Sequence, residues 1–202
     1  MALSKEKIIE ESLQLLNEAG LEGVTLRKLA NRLGVQAPAL YWHFKNKEAL
    51  VSELAETILR NEFFEIEPSI EGESWQTWLI NIFTRLRKAL ISYTDGGRVV
   101  AGAHLSLTMA KISEEAIKTL LNAGISLHKS RLLVLTATHY TFGYVIEEQT
   151  TPSPEAISHF DLELFKKNHP FMIQSIDEYF ATGRTRDDLF IDGIEIIIGL
   201  QN

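Results

Sequence analysis

Thr25-Leu26-Arg27-Lys28-Leu29-Ala30-Asn31-Arg32-Leu33-Gly34-Val35-Gln36-Ala37-Pro38-Ala39-Leu40-Tyr41-Trp42-His43-Phe44-Lys45-Asn46-Lys47 is the stretch that decides the fold. A threonine just before an apolar-periodic run caps a helix, here with Leu26, Leu29, Ala30 and Leu33 on one side. Gly34 stops that helix, because only glycine takes the positive φ of so tight a turn without cost. Pro38 suits the first turn of the next helix, where its missing N–H has no intrahelical partner, and predicts a helix from Ala37 to about Phe44. Two short helices joined by Gly34-Val35-Gln36 have the dimensions of a helix-turn-helix, whose second helix can lie in a major groove. On that second helix Leu40 and Phe44 share a face and can be core, whereas Tyr41, Trp42 and His43 fall largely opposite. Two adjacent aromatics and a histidine facing water call for a partner. The plainer alternative is that either aromatic buries against the following helix. Asn46 caps that helix, and Lys45 and Lys47 flank its N-terminus, whose free N–H groups and positive dipole end suit a phosphate oxygen.

Charge divides the chain in the same way. The net charge is −7, but residues 1–50 hold seven Lys/Arg against six Glu, and the remainder carries the whole negative excess. Between Gly23 and Lys47 stand Arg27, Lys28, Arg32, Lys45 and Lys47 and no acid. A polyanion is attracted to this segment and repelled by the rest, which orients the molecule on approach.

Upstream, Ser4 can cap a first helix carrying Ile9, Leu13 and Leu16, which Gly20 ends. Downstream, the helix capped by Asn46 runs through Leu50, Leu54 and Ile58 towards Phe63. Helical periodicity then resumes in segments near 74–93, 105–122, 126–149, 156–180 and 186–200, with turn signals between them. Alternating strand patterns are nearly absent. The expectation is an all-α chain: a helix-turn-helix domain over 1–48, a connecting helix over about 46–64, and a larger helical domain over 65–202. No cysteine is present, so disulfides, thiolate metal sites and thiol nucleophiles are excluded. No stretch is apolar enough to span a bilayer, and charges interrupt any leader-like run near the start, so a cytoplasmic location with no membrane contact is expected.

The quoted motif resembles the DNA-binding domain of the TetR family of bacterial repressors, gap-free from Thr25 to Leu50. Glu73-Ser74-Trp75-Gln76, Asp95-Gly96, Asn122 to Leu127, and His139-Tyr140-Thr141-Phe142-Gly143 with Glu147 and Gln149 are similar to the sensor domain of its tetracycline repressor subfamily. The resemblance implies a double-stranded operator as partner. It implies phosphate contacts from Thr25, Tyr41, Trp42, His43 and Lys47, with Lys45 alongside, and a base contact from Arg27. Arginine on guanine is the commonest specific major-groove contact. The remaining readers would be Gln36, Ala37, Pro38 and Ala39, but Ala37 and Ala39 replace the Gln and Thr of the subfamily, so the operator should differ.

For the sensor the resemblance implies a ligand site built from Phe63, Ile82, Leu86, Val100, Ala103, His104, Leu105, Ala116, Val134, Leu135, Thr138 and His139. Val100 stands where the subfamily holds magnesium with an imidazole. Phe63, Ile82 and Leu86 replace polar drug contacts, and Ala103-His104-Leu105 replaces Thr-Arg-Pro. No metal or cofactor is therefore expected, and the effector should be small and mostly apolar or aromatic. His139 and Glu147 lie about 12 Å apart along one helix and cannot bind one metal from the same chain. A lone helical histidine is also commonly a satisfied core residue. The helices over 126–149 and 186–200 would form a homodimer interface, as the apolar density of Phe190 to Leu200 suggests.

A palindrome-binding dimeric repressor released by a ligand is the leading reading. The alternatives are a DNA-binding regulator without a small ligand, or an activator controlled by a protein partner; a closed cavity favours the first and a filled core the second. Catalysis is not expected: there is no G-x-S-x-G, P-loop or H-E-x-x-H, and the acid pairs Glu114-Glu115 and Asp187-Asp188 sit at helix starts.

Overall fold

The computed structural model describes residues 3–68, 70, 72–103 and 106–199, with only the backbone of residue 156. Twelve helices and no strand are found among them. His104, Leu105 and Leu200 lie outside the described residues.

The first four helices are α1 (Lys5–Gly23), α2 (Leu26–Leu33), α3 (Ala37–Tyr41) and α4 (Lys47–Glu62). Their starts follow the capping logic. The Ser4, Thr25 and Asn46 side chains accept from Lys7, Lys28 and Ala49 backbone N–H groups. Gly34 takes φ +67 and ends α2. Ile8, Leu16, Leu29, Leu40, Leu50 and Leu54 bury completely in the shared core of these helices. α3 is shorter than predicted. It ends at Tyr41, and the Trp42 and His43 backbone closes onto the Leu40 carbonyl region in a turn, so the aromatics sit at its C-terminal edge.

α4 belongs to both parts of the chain. Its outer surface packs on α5 (Trp75–Ile91), α6 (Gly96–Ala101) and α7 (Leu107–Asn122), while its N-terminal half closes the α1–α3 core. Between the predicted segments near 74–93 and 105–122, where the sequence carries only turn signals, the structure has the short helix α6. It forms because Val99 and Val100 find a buried slot against α4, α5 and α8 (Leu127–Gln149). Gln149 at the end of α8 pins the preceding turn: its amide donates to the Leu90 and Tyr93 carbonyls and its oxygen accepts from Gly97 N–H.

The predicted single helix over 156–180 is instead three, α9 (Pro154–Ser158), α10 (Leu162–Asn168) and α11 (Pro170–Ala181). Pro170 and the Phe160–Asp161 break prevent a continuous helix. No side chain of α10 or α11 is buried, and Ile157, Phe160, Leu164, Phe171 and Met172 are all more than half exposed.

α12 (Arg186–Ile198) returns onto α5 and α8. Tyr140, Tyr144 and Phe190 stack between α8 and α12, and the Arg87 guanidinium faces the latter two rings. Arg87 also binds Glu148 through two hydrogen bonds and Asp187 through one, so a buried cation from α5 is neutralised by the two helices that cover it. Burial pushes the Tyr140 phenol up to about 12, aided by the neighbouring Tyr144 and Asp192.

A second polar clasp joins α4 to α7. The Glu56 carboxylate accepts from the Ser106 hydroxyl at 2.7 Å and from the Thr108 hydroxyl and N–H at 2.5 and 3.1 Å. Burial pushes this carboxyl up, but the hydrogen bonds from Thr108 and Ser106 outweigh it and hold it below the ordinary glutamate range. A carboxyl depressed by folding stabilises the native state above its unfolded pKa, and that contribution fades as the pH falls through the folded value. Glu56→Gln should thus cost about 1 kcal/mol at pH 7, and the deficit against wild type should shrink towards pH 3. Urea unfolding of both proteins across that range checks this.

Candidate DNA-reading surface and sensor core

α2 and α3 place their non-core residues on one continuous outer surface. Arg27 and Lys28, exposed on the first turn of α2, meet no carboxylate among the described residues, nor does Lys45 beyond α3. Thr25 uses its oxygen to cap α2 and keeps its hydroxyl proton for an outside acceptor. Gln36 precedes α3 without capping it and is exposed, as is Pro38. Ala37 and Ala39 are half-buried and present only methyl groups. Tyr41 is 54% exposed and Trp42 90%, with His43 also exposed. Trp42 therefore does not bury against α4, which removes the plain structural account of that residue. A bare indole beside unpaired cations and the N-terminus of α4 is an arrangement suited to a phosphate backbone.

Two cations of the same segment are spent within the protein. Arg32 binds Glu11 at 2.8 Å, Glu18 at 2.5 Å and the Gln14 amide oxygen, all on α1, so it braces α2 rather than facing outward. Lys47 is half-buried, and its ammonium donates to the Leu21 carbonyl at 3.1 Å.

The sensor residues fall into three groups. Phe63, Ile82, Leu86, Val100, Ala116 and Val134 converge in one buried cluster between α4 and α8, and each is at most 5% exposed. Such burial leaves almost no surface that water could touch, so these side chains close on one another. Ala103 packs half-buried against the core, and Leu135 is half-buried on α8 without joining it. His139 does not join the cluster: it lies exposed on the outer face of α8, because the neighbouring Ala137, Thr138 and Thr141 take the inward positions. The polar groups that do face inward are already committed, with the Thr138 and Thr141 hydroxyls donating to the Val134 and Ala137 carbonyls of their own helix.

Sequence reasoning missed what connects these two surfaces. α1 kinks at Gly20, whose φ +64 and ψ −179 are accessible to glycine alone. A Cβ there would meet the Asp95 carboxylate at 2.7 Å. That carboxylate accepts from Leu21 N–H at 2.8 Å, while Thr94 N–H and hydroxyl bind the side chain and carbonyl of Asn17. Arg98 adds an exposed pair with Glu22. The turn leading into α6 thus grips the end of α1. The signal available in the sequence was Asp95 before two glycines, but nothing local names its partner 74 residues away.

An open groove of about 460 Å³ lies elsewhere, between Pro68, Glu73–Trp75 and the Glu115–Ala123 face of α7. It contains none of the expected sensor residues.

Comparison with known proteins places this geometry. The model for bacterial regulatory proteins of the tetR family matches residues 8–54, and that for the tetracyclin repressor-like C-terminal domain matches residues 67–201. The class C tetracycline repressor protein of Escherichia coli is 34% identical over 98% of this chain and 90% of its own. Among solved structures, TetR-Q116A from Acinetobacter baumannii AYE in complex with minocycline is 32% identical, with a TM-score of 0.73 over 98% of this chain and 96% of that one. BioQ with its double-stranded DNA operator is 25% identical, with a TM-score of 0.68 over 96% and 98% of the two chains.

The exposure of Trp42 separates packing from reading. Trp42→Ala should change stability by less than about 0.5 kcal/mol, whereas Leu40→Ala, two residues away but fully buried, should cost about 2–5 kcal/mol. Denaturant midpoints of the two variants check this.

Proposed function

The chain belongs to the tetR family of bacterial regulatory proteins, and on that premise we propose how it works: a homodimer sets two reading helices on a palindromic operator and is released when a small, mostly apolar effector opens the sensor core. The observation that carries the DNA half is Trp42, bare to solvent in a segment whose Arg27, Lys28 and Lys45 meet no carboxylate among the described residues. Tyr41, Trp42, His43, Lys45 and the Thr25 hydroxyl would hold phosphates, and Arg27 would read guanine. Ala37, Pro38 and Ala39 offer only apolar contact, which suits thymine methyl groups and leaves Gln36 as the remaining polar reader.

Dimerisation is supported by apolar surface that this protomer leaves uncovered. Leu127, Leu132 and Ile196 on α8 and α12 are half or more exposed. A two-fold dimer presents two copies of α3, and a palindrome repeats the half-site accordingly.

The effector's chemistry follows from the sensor cluster. No uncommitted polar group faces inward among its described members, and Val100 occupies the position that holds magnesium in the subfamily. An effector has to displace these side chains, since they close on one another. Val100 sits on the same six-residue helix whose first turn, through Thr94 and Asp95, grips α1. Displacing it would carry that grip along and alter the spacing of the reading helices. The effector thus acts by binding the open arrangement better than the closed one. The filled cluster also favours a second reading, a DNA-binding dimer without a small ligand.

A gel shift with DNA from upstream of the chain's own gene, run with and without a panel of small apolar and aromatic compounds, decides between them. Retarded DNA released by one compound supports the first reading; retardation that no compound relieves supports the second. Arg27→Ala should weaken binding by about 1–3 kcal/mol and relax base preference at one position of each half-site, whereas Lys45→Ala should weaken all sequences alike and flatten the salt dependence. Equal effects on every duplex would overturn that division. Isothermal titration with magnesium and tetracycline should show no tight, magnesium-dependent binding, and a micromolar or better isotherm would make tetracycline the effector instead.

A further inference from the structure

We propose that the open groove between the start of α5 and the C-terminal half of α7 is a second binding site. It takes a small aromatic amine, with the ring laid on Trp75 and the ammonium among the surrounding carboxylates. This site goes beyond the operator-and-effector reading and does not depend on it. The groove encloses about 460 Å³, which is within the range of small-molecule sites. It is separate from the closed sensor cluster. Successive residues of an α-helix turn by about 100°, so Glu115, Lys118, Thr119 and Asn122 stand roughly 110° round α7 from its buried stripe of Ile112, Ala116 and Leu120.

The ring site comes from the first residue of α5. Ser74 caps that helix through the Thr77 N–H and sets Trp75 in the groove wall. Trp75 is half-buried, packing against the core with one part and lining the groove with another. Trp78, one turn on, is a core residue whose indole donates to the Glu67 carbonyl. The Trp75 indole N–H has no such partner among the described residues. Nor does a cation of the protein lie over its ring, whereas Arg85, Arg87 and Arg184 cover Phe63, Phe190 and Tyr179. Indole is the aromatic face that attracts a cation most strongly. On α7 the Thr119 hydroxyl and the Asn122 amide are likewise uncommitted among the described residues, unlike the inward-facing Thr138 and Thr141 of the sensor.

Charge selects the ligand's other end. Glu73 and Glu115 line the groove against the single ammonium of Lys118. Lys118 already has two acids, Glu115 at 2.8 Å and Glu114 at 3.9 Å. Glu73 accepts only a long bond from the Ile70 N–H at 3.4 Å, and no Lys or Arg pairs with it among the described residues. The groove therefore repels an anion and lacks one cation. A neutral aromatic gains the ring contact alone; an amine gains both.

Isothermal titration of the full, DNA-free protein with tryptamine, tryptophol and indole-3-acetate tests this, since the three share a ring and end in an ammonium, a hydroxyl and a carboxylate. Tryptamine should bind at one site per protomer, tryptophol about fivefold more weakly, and indole-3-acetate without measurable heat. High salt should narrow the gap between the first two, because exposed charges are screened. Glu73→Gln should weaken tryptamine about three- to fivefold and leave tryptophol unchanged. Lys118→Gln should tighten tryptamine about threefold by removing the rival cation, an opposite sign that a merely structural role does not produce. Trp75→Leu should weaken tryptamine about tenfold. If that variant loses its helical circular dichroism, Trp75→Phe takes its place, with a loss of about threefold. Glu10→Gln, on α1 and outside the groove, should change nothing. Equal affinity for the three compounds, no binding of tryptamine, or tryptamine binding unchanged in either Glu73→Gln or Lys118→Gln would overturn the proposal. A loss in Glu10→Gln as large as in Glu73→Gln would do the same, by showing attraction to net charge alone. With no DNA present, the result stands apart from whether the chain binds an operator.

Discussion

The hydrogen bonds that join α1 to the sensor gather at the break in α1 near Gly20. A continuous helix there would keep Leu21 N–H and C=O inside the i to i−4 ladder. The glycine kink releases the N–H, the C=O lies in the last turn of α1, and two side chains from distant segments bind them, Asp95 from the sensor and Lys47 from the reading head. Asp95 is itself the one non-glycine residue with positive φ among those described. Aspartate tolerates that conformation better than most side chains, and here the hydrogen bond it makes over-determines it. Two backbone singularities, 75 residues apart in sequence, are therefore complementary parts of one joint.

The absence of a linker gives that joint its leverage. α4 closes the α1–α3 core with Leu50 and Leu54 and enters the sensor with Ile58, Leu59 and Phe63. Its middle is clasped to α7 by Glu56, and its end to α5 by Glu62 with Arg85 and Lys88. A rigid helix held at three points cannot absorb a displacement locally, since packed interfaces are bistable rather than continuously deformable. Motion at α6 or at the 106–108 segment therefore has to reappear at its N-terminal turn.

Local chemistry was what the sequence carried well. Ser4, Thr25 and Asn46 each declare a helix start and Gly34 a helix end, and the structure has those boundaries. Non-local chemistry was hidden. The basic run from Gly23 to Lys47 reads as one patch, yet Arg32 is drawn off by Glu11 and Glu18 on α1, and Lys47 by Leu21. α6 escaped notice because its six residues begin with two glycines, and tertiary burial of Val99 and Val100, not propensity, makes it helical. His139 illustrates the same limit. Periodicity places it one step from Thr138, but which of two adjacent positions turns inward depends on the packing of α5 and α7, and the histidine lost.

The closed sensor cluster sets a lower bound on the effector. To swing a two-state equilibrium from one extreme to the other, a ligand must prefer the open state by about 5.5 kcal/mol. Burying roughly 200 Å² of apolar surface, the size of one aromatic side chain, yields about 5 kcal/mol before any cost of ordering. Opening a cluster in which Ile82, Leu86, Val100 and Ala116 are almost fully buried also exposes those side chains until the ligand re-covers them. A single-ring molecule would thus spend its whole gain on opening. The effector of a switch built this way must be larger than one ring, or the two states must lie close in free energy before it arrives.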